Sequence, residues 1–145
     1  MFKHILLPTD GSNLSQAAIQ KGVQLAKSIK AKITGISVMP EQKYYLYQTD
    51  IIMQVREETV KQHKLQAHRN LSAIEKAAQE AGVPCETVCE IGDHPYETII
   101  RAAEKRGCDL IMMASHGQRG VKGLLLGSET QKVLTHSKIP VLVYR

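Results

Sequence analysis

The sequence predicts an α/β fold, one domain over residues 1–145 built on a single open five-stranded parallel sheet with helices on both faces. Three observations carry that prediction. Short aliphatic runs alternate along the whole chain with longer stretches of helical period. The run Leu110–Ala114 is apolar at every position, as a strand covered on both faces must be. The breaks between runs fall at Pro, Gly and Asp, which end strands and open helices. A chain of 145 residues that is 43% hydrophobic carries enough apolar side chain for one core. With one Phe and no Trp, that core must be aliphatic.

Residues 4–9 read as the first strand, stopped by the turn sequence Pro8-Thr9-Asp10-Gly11-Ser12. Leu14, Ala18, Leu25 and Ile29 recur at helical spacing and predict a helix over 14–29. Residues 33–39 form a second strand, closed by Pro40. From Glu41 to Asp50 the chain carries Tyr44, Tyr45 and Tyr47 with no clear period, and reads as a surface excursion. A long helix follows, with Ala67, Leu71, Ile74, Ala78 and Ala81 as its apolar stripe and Gly82 in the terminating position. Residues 84–91 are a third strand, and Gly92-Asp93-His94 is a turn. Pro95 suits the first turn of a helix that bears Tyr96, Ile99, Ile100 and Ala103 on one face. After the strand at 110–114 come a glycine-rich loop, a short helix over 128–135 and a last strand over 140–144.

The formal charge is +5, but no block of five or six like charges occurs, so the basic balance reads as a solvated surface rather than a nucleic-acid face. The first apolar run stops at Pro8, too short for a signal peptide or a membrane span, so a soluble cytoplasmic product with no membrane partner is expected. Cys85 and Cys89 would share a strand face about 13 Å apart, whereas a disulfide needs Cα atoms within about 7 Å. With Cys108 they read as reduced thiols. His63 and His68 lie five apart on a helix, the wrong spacing for a shared metal.

Right-handed crossovers gather the strand C-termini along one edge, where open α/β sheets bind ligands. Two loops of unusual composition fall there. One is Pro8-Thr9-Asp10-Gly11-Ser12; the other runs from Ala114 through His116, Gly117, Arg119, Gly120, Lys122 and Gly123 to Gly127-Ser128. Glycines let backbone approach a ligand closely. Gly127-Ser128 precedes a helix, whose N-terminal N–H groups and dipole suit a phosphate, and Arg119 and Lys122 can add positive charge. Asp10, at the end of the first strand, can accept ribose hydroxyls or hold Mg²⁺, or can simply close its own turn.

These segments resemble the universal stress protein family. Its nucleotide-binding members carry Gly, two residues, Gly, nine residues, then Gly and Ser or Thr. Here Gly117 is followed by nine residues and Gly127-Ser128, with Ala114 in the first glycine's place, adding a methyl group where the family brings backbone close to ribose and phosphates. The resemblance extends over Ile5 to Ser12, Gly92 with Pro95, Asp109 to Gly117 and Ile139 to Val143. It implies a Rossmann-like sheet in the order 3-2-1-4-5 and an adenine-nucleotide ligand, ATP, ADP or AMP, with or without Mg²⁺. The implied site comprises Pro8, Thr9, Asp10, Val38, Met113, Ala114, His116, Gly117, Arg119, Gly127, Ser128 and Glu129. Within it Val38 would offer backbone to adenine, Met113 would line the adenine pocket, and Gly117, Gly127 and Ser128 would hold phosphate. It also implies a homodimer or higher homo-oligomer, paired through the last strand, and a protein partner of unknown identity.

Three functions compete. The first is a nucleotide-dependent binding module acting in stress response. The second is a slow ATPase, although Gly127-Ser128-Glu129 is not a Walker sequence and no general base is evident. The third is a family member that works through protein contacts alone.

Overall fold

The computed structural model describes residues 1–41, 50–118, 120 and 125–145, with 50–52 as backbone only. Strands β1 (His4–Pro8), β2 (Lys32–Met39), β3 (Cys85–Ile91), β4 (Leu110–Ala114) and β5 (Val141–Tyr144) alternate with helices α1 (Asn13–Ile29), α2 (Asp50–Ala81), α3 (Pro95–Lys105) and α4 (Ser128–His136). All described strand pairs are parallel, in the order β3-β2-β1-β4-β5, as the sequence and its resemblance predict. Tyr44, Tyr45, Tyr47, Arg119, Lys122 and Gly123 lie outside the described residues.

Element ends follow local chemistry. Ser12 caps α1, its hydroxyl accepting from the Ser15 N–H at 3.2 Å, which moves the helix start to Asn13. Gly82 ends α2 at φ +71°, and the Val83 N–H returns to the Ala78 carbonyl at 2.9 Å.

The alternation along β1 shows why the sheet is buried on both sides. Ile5 and Leu7 point into a cluster with Ile19, Val23, Leu71 and Ile74 from α1 and α2. Leu6 points the other way, into a cluster with Ile99, Ala103, Met113 and Val133 from α3, β4 and α4. Burying a side chain such as Ile74, 0% exposed, contributes about 1.5–3 kcal/mol. Gly35 has no side chain because α2 presses there: a Cβ would stand 2.8 Å from Ile74 Cδ1.

Only the second half of α2 packs in this way. Its buried residues begin at Ala67, and Met53, Val55 and Leu65 are exposed. The reason is length. Thirty-two helical residues run about 48 Å, whereas the eight residues of β2 span about 26 Å.

At the strand N-termini sits a polar network. The Asp109 carboxylate accepts the N–H groups of Lys3 and His4. Buried His4 meets Thr34 Oγ1 through Nε2 at 2.7 Å, and Thr34 donates to Glu86 at 2.9 Å. Since the single Thr34 hydroxyl proton goes to Glu86, His4 Nε2 carries the proton toward Thr34. This network occupies the end of the sheet opposite the loops of interest.

Candidate functional site

Strand order reverses between β1 and β4, and the loops leaving their C-terminal ends meet there. Thr9, 7% exposed, anchors the first loop: its N–H reaches the Ile36 carbonyl at 2.9 Å, and its hydroxyl oxygen accepts from Gly11 N–H and Ser15 Oγ–H. Gly11 needs its freedom, because φ is +78° and Asn70 of α2 fills the place a Cβ would take. Pro8 is the last paired residue of β1, opposite Ile36. Val38 stands two residues beyond that pair, so its backbone on the β1 side runs past the end of β1.

The second loop is drawn toward the first by Asp10. Its Oδ2 accepts the Gln118 N–H at 2.8 Å, its Oδ1 accepts the Ser12 N–H at 3.0 Å, and its carbonyl accepts from Gln118 Nε2 at 2.7 Å. A Cβ on Gly117 would run into Asp10 Oδ2, so only glycine permits this approach. On the other side of the loop, Gly127 N–H donates to the Ser115 carbonyl at 2.7 Å. A Cβ on Gly127 would stand 3.2 Å from that oxygen and 3.3 Å from His116 Cα. Gly117 is therefore flanked by Asp10 and by the start of α4.

Gly127 is the N-cap of α4 and has no side chain to satisfy the N–H groups of the first turn. These donors and the helix dipole make an anion-accepting end, at Gly127, Ser128 and the backbone of Glu129. The Glu129 side chain turns away, accepting the Tyr96 N–H at 2.9 Å and pairing with Lys132. Thr130 fixes the helix start to the sheet, its buried hydroxyl donating to the Ala114 carbonyl at 2.9 Å. Met113 lies within the core cluster of the α3/α4 side, 7% exposed, so its side chain packs the sheet.

His116 adds a donor or acceptor. Its Nδ1 meets Ser115 Oγ at 3.0 Å, while Nε2 is buried without a hydrogen-bond partner. A buried ring nitrogen in that state favours a polar ligand. The Ser115–His116 pair has the make-up of a nucleophile and its base, yet Ser115 is 1% exposed and its hydroxyl cannot meet a substrate. Among the described residues no three His, Cys, Asp or Glu side chains converge to hold a metal ion. A divalent cation here would have to be carried chiefly by phosphate oxygens. A groove of about 760 Å³ along α2, lined by Met53, Val60, Lys64 and Leu65 among others, lies apart from these loops and gathers no convergent polar groups.

Sequence reasoning missed Ser15, Asn70, Gln118 and Thr130. None stands in a motif, and each acts through a contact that only the folded loops create.

Residues 1–145 match the Universal stress protein family. Universal stress protein YxiE of Bacillus subtilis is 35% identical, with all of both chains covered. Universal stress protein MJ0577 of Methanocaldococcus jannaschii is 33% identical, covering 100% of this chain and 96% of the other. The structure of UspA from Lactobacillus plantarum superposes with a TM-score of 0.82 at 26% identity, covering 99% of this chain and 98% of that one. The same fold recurs in a universal stress protein in complex with cAMP (TM-score 0.65, 23% identity, 99% and 96% covered). It recurs again in one from Archaeoglobus fulgidus in complex with dAMP (TM-score 0.70, 13% identity, 100% and 98% covered).

Proposed function

Because this chain belongs to the universal stress protein family, we propose that it binds an adenine nucleotide and acts in stress response by nucleotide-dependent signalling rather than turnover. The observation that carries this reading is the convergence at Gly117: an α4 N-terminus without a side-chain cap, the partnerless Nε2 of His116, and two glycines whose Cβ atoms would collide with their surroundings. Relatives with cAMP and dAMP bound support the class of ligand.

In this reading the phosphates of AMP, ADP or ATP lie against Gly117, Gly127, Ser128 and the Glu129 backbone. Adenine lies near the ends of β1 and β2, beside Pro8, Thr9 and the Val38 backbone, with Ala114 and Met113 beneath. Asp10 stands at the mouth, and Arg119 is assigned there from its sequence position. Any Mg²⁺ arrives with the nucleotide. Hydrolysis is expected to be slow at most, since Ser115 is buried against His116.

Calorimetric titration of the nucleotide-stripped protein with ATP and with AMP tests the reading, with Gly127→Asp as the control. Gly127 has φ −68° and ψ 155°, a conformation open to any residue, and Asp is a favoured N-cap. The variant therefore keeps α4 while placing a carboxylate where phosphate would sit. Micromolar binding that vanishes in Gly127→Asp is the expected result. No binding at millimolar nucleotide would discard the proposal and favour a role through protein contacts alone.

A further inference from the structure

The loops at Gly117 already grip an anion, and it belongs to the protein. Asp10 and Gln118 are 108 residues apart, yet two hydrogen bonds of 2.8 and 2.7 Å join them. The Asp10 carboxylate is held by two main-chain N–H groups, of Ser12 and of Gln118, one from each loop. Its Oδ2 occupies the space beside Gly117 that a Cβ would need. The space where a Cβ of Gly127 would stand lies 3.8 Å from the Gly117 nitrogen on the α4 side. A carboxylate and an anion-accepting helix end thus flank one residue. A phosphate on that helix end would fall within about one Debye length, roughly 8 Å, of the carboxylate.

We propose that Asp10 is an autoinhibitory latch: it competes, as an internal anion, with nucleotide phosphate for the loop around Gly117 and must leave Gln118 before phosphate settles. The inference rests on the nucleotide reading of this site and adds a direction to it. A residue that bound ribose or metal would raise affinity, whereas a latch lowers it. The latch also accounts for Gly117 without any ligand, because a side chain there would prevent Asp10 from reaching the loop. Gln118 serves from both its backbone and its side chain, so the loop is held in place as well as screened.

The experiment compares the full-length wild type with Asp10→Ala and Gln118→Ala, each titrated with AMP in EDTA, where no divalent cation can mask the carboxylate. Amide hydrogen exchange at Gln118 is followed in parallel, and urea midpoints confirm folding. Asp10→Ala removes charge and acceptor together and is expected to bind AMP about tenfold more tightly, about 1.4 kcal/mol. Gln118→Ala removes only the side-chain bond and should shift affinity the same way by less. The Gln118 amide should be protected in the wild type and exchange at least about tenfold faster in Asp10→Ala, the mark of a lost closed state. Equal or weaker AMP binding by Asp10→Ala overturns the latch, as does an unprotected Gln118 amide in the wild type. Binding by Asp10→Ala alone supports the latch in its strongest form. If neither protein binds AMP, the nucleotide reading fails and the competition falls with it, while a protected Gln118 amide would show that the loop contact itself is real. Should Asp10→Ala fail to fold, Gln118→Ala carries the test with the same sign.

Discussion

Thr130→Val separates the scaffold of the site from its ligand contacts. Thr130 is 3% exposed, and its hydroxyl donates to the carbonyl of Ala114, the last residue of β4, at 2.9 Å. Valine keeps the shape and the β-branch but offers a methyl group to that oxygen. A buried acceptor left without its donor costs about 1–3 kcal/mol, against about 0.5–1.5 kcal/mol for an average bond removed with both partners. A loss near 2 kcal/mol is expected, equivalent to a melting temperature lower by about 4–8 °C for a chain of this size. Urea denaturation followed by circular dichroism reads it as a lower midpoint at constant slope. Thr130→Ser keeps the hydroxyl and should cost about 0.8 kcal/mol for its missing methyl. Because the bond ties the start of α4 to the end of β4, Thr130→Val should also weaken AMP binding beyond any effect of Thr130→Ser. A valine variant as stable as wild type would refute the argument, since the Ala114 carbonyl would then have another partner.

Two further predictions concern the ends of the sheet. At the strand N-termini, burial and then the charge of Lys32 lower the His4 pKa below 6.5. The hydrogen bond from Thr34, followed by Arg106, lowers that of Glu86 below 4.5. For Asp109 burial pushes upward, but the N–H groups of His4 and Lys3 outweigh it and the pKa falls below 3.8. In each case the unfolded chain binds more protons, so stability is complete above the unfolded value and falls as pH drops through it. The urea midpoint should therefore decline first below about pH 6.5 and again below about 4.5, and His4→Gln should remove the upper step alone. At the other end, β5 is an edge strand with Leu142 42% exposed, and an unpaired edge favours a second copy. Sedimentation should give a dimer mass that Leu142→Lys shifts to monomer, whereas a monomeric wild type would dismiss the pairing.

Periodicity and punctuation in the sequence determined the elements, because a strand repeats every two residues, a helix every 3.6, and Pro and Gly impose their own backbone limits. The apolar run of β4, the stripe from Ala67 to Ala81 and the stop at Gly82 are all local facts that the chain carries in its order. The spacing Gly117 to Gly127-Ser128 likewise marked a loop built for close backbone approach. Tertiary structure decided what approaches it. Glu129, grouped by sequence with the phosphate residues, sends its side chain to the Tyr96 amide, and only its backbone remains at the helix start. Asp10, legible as a turn residue or a ribose acceptor, reaches Gln118 across 108 positions. Thr130 and Asn70 carry no motif and gain their roles from α4 and α2 coming against β4 and Gly11. A hydrogen bond needs its partner within about 3 Å and in line, and which partner arrives there is set by packing across the sheet, a long-range outcome that no local pattern encodes.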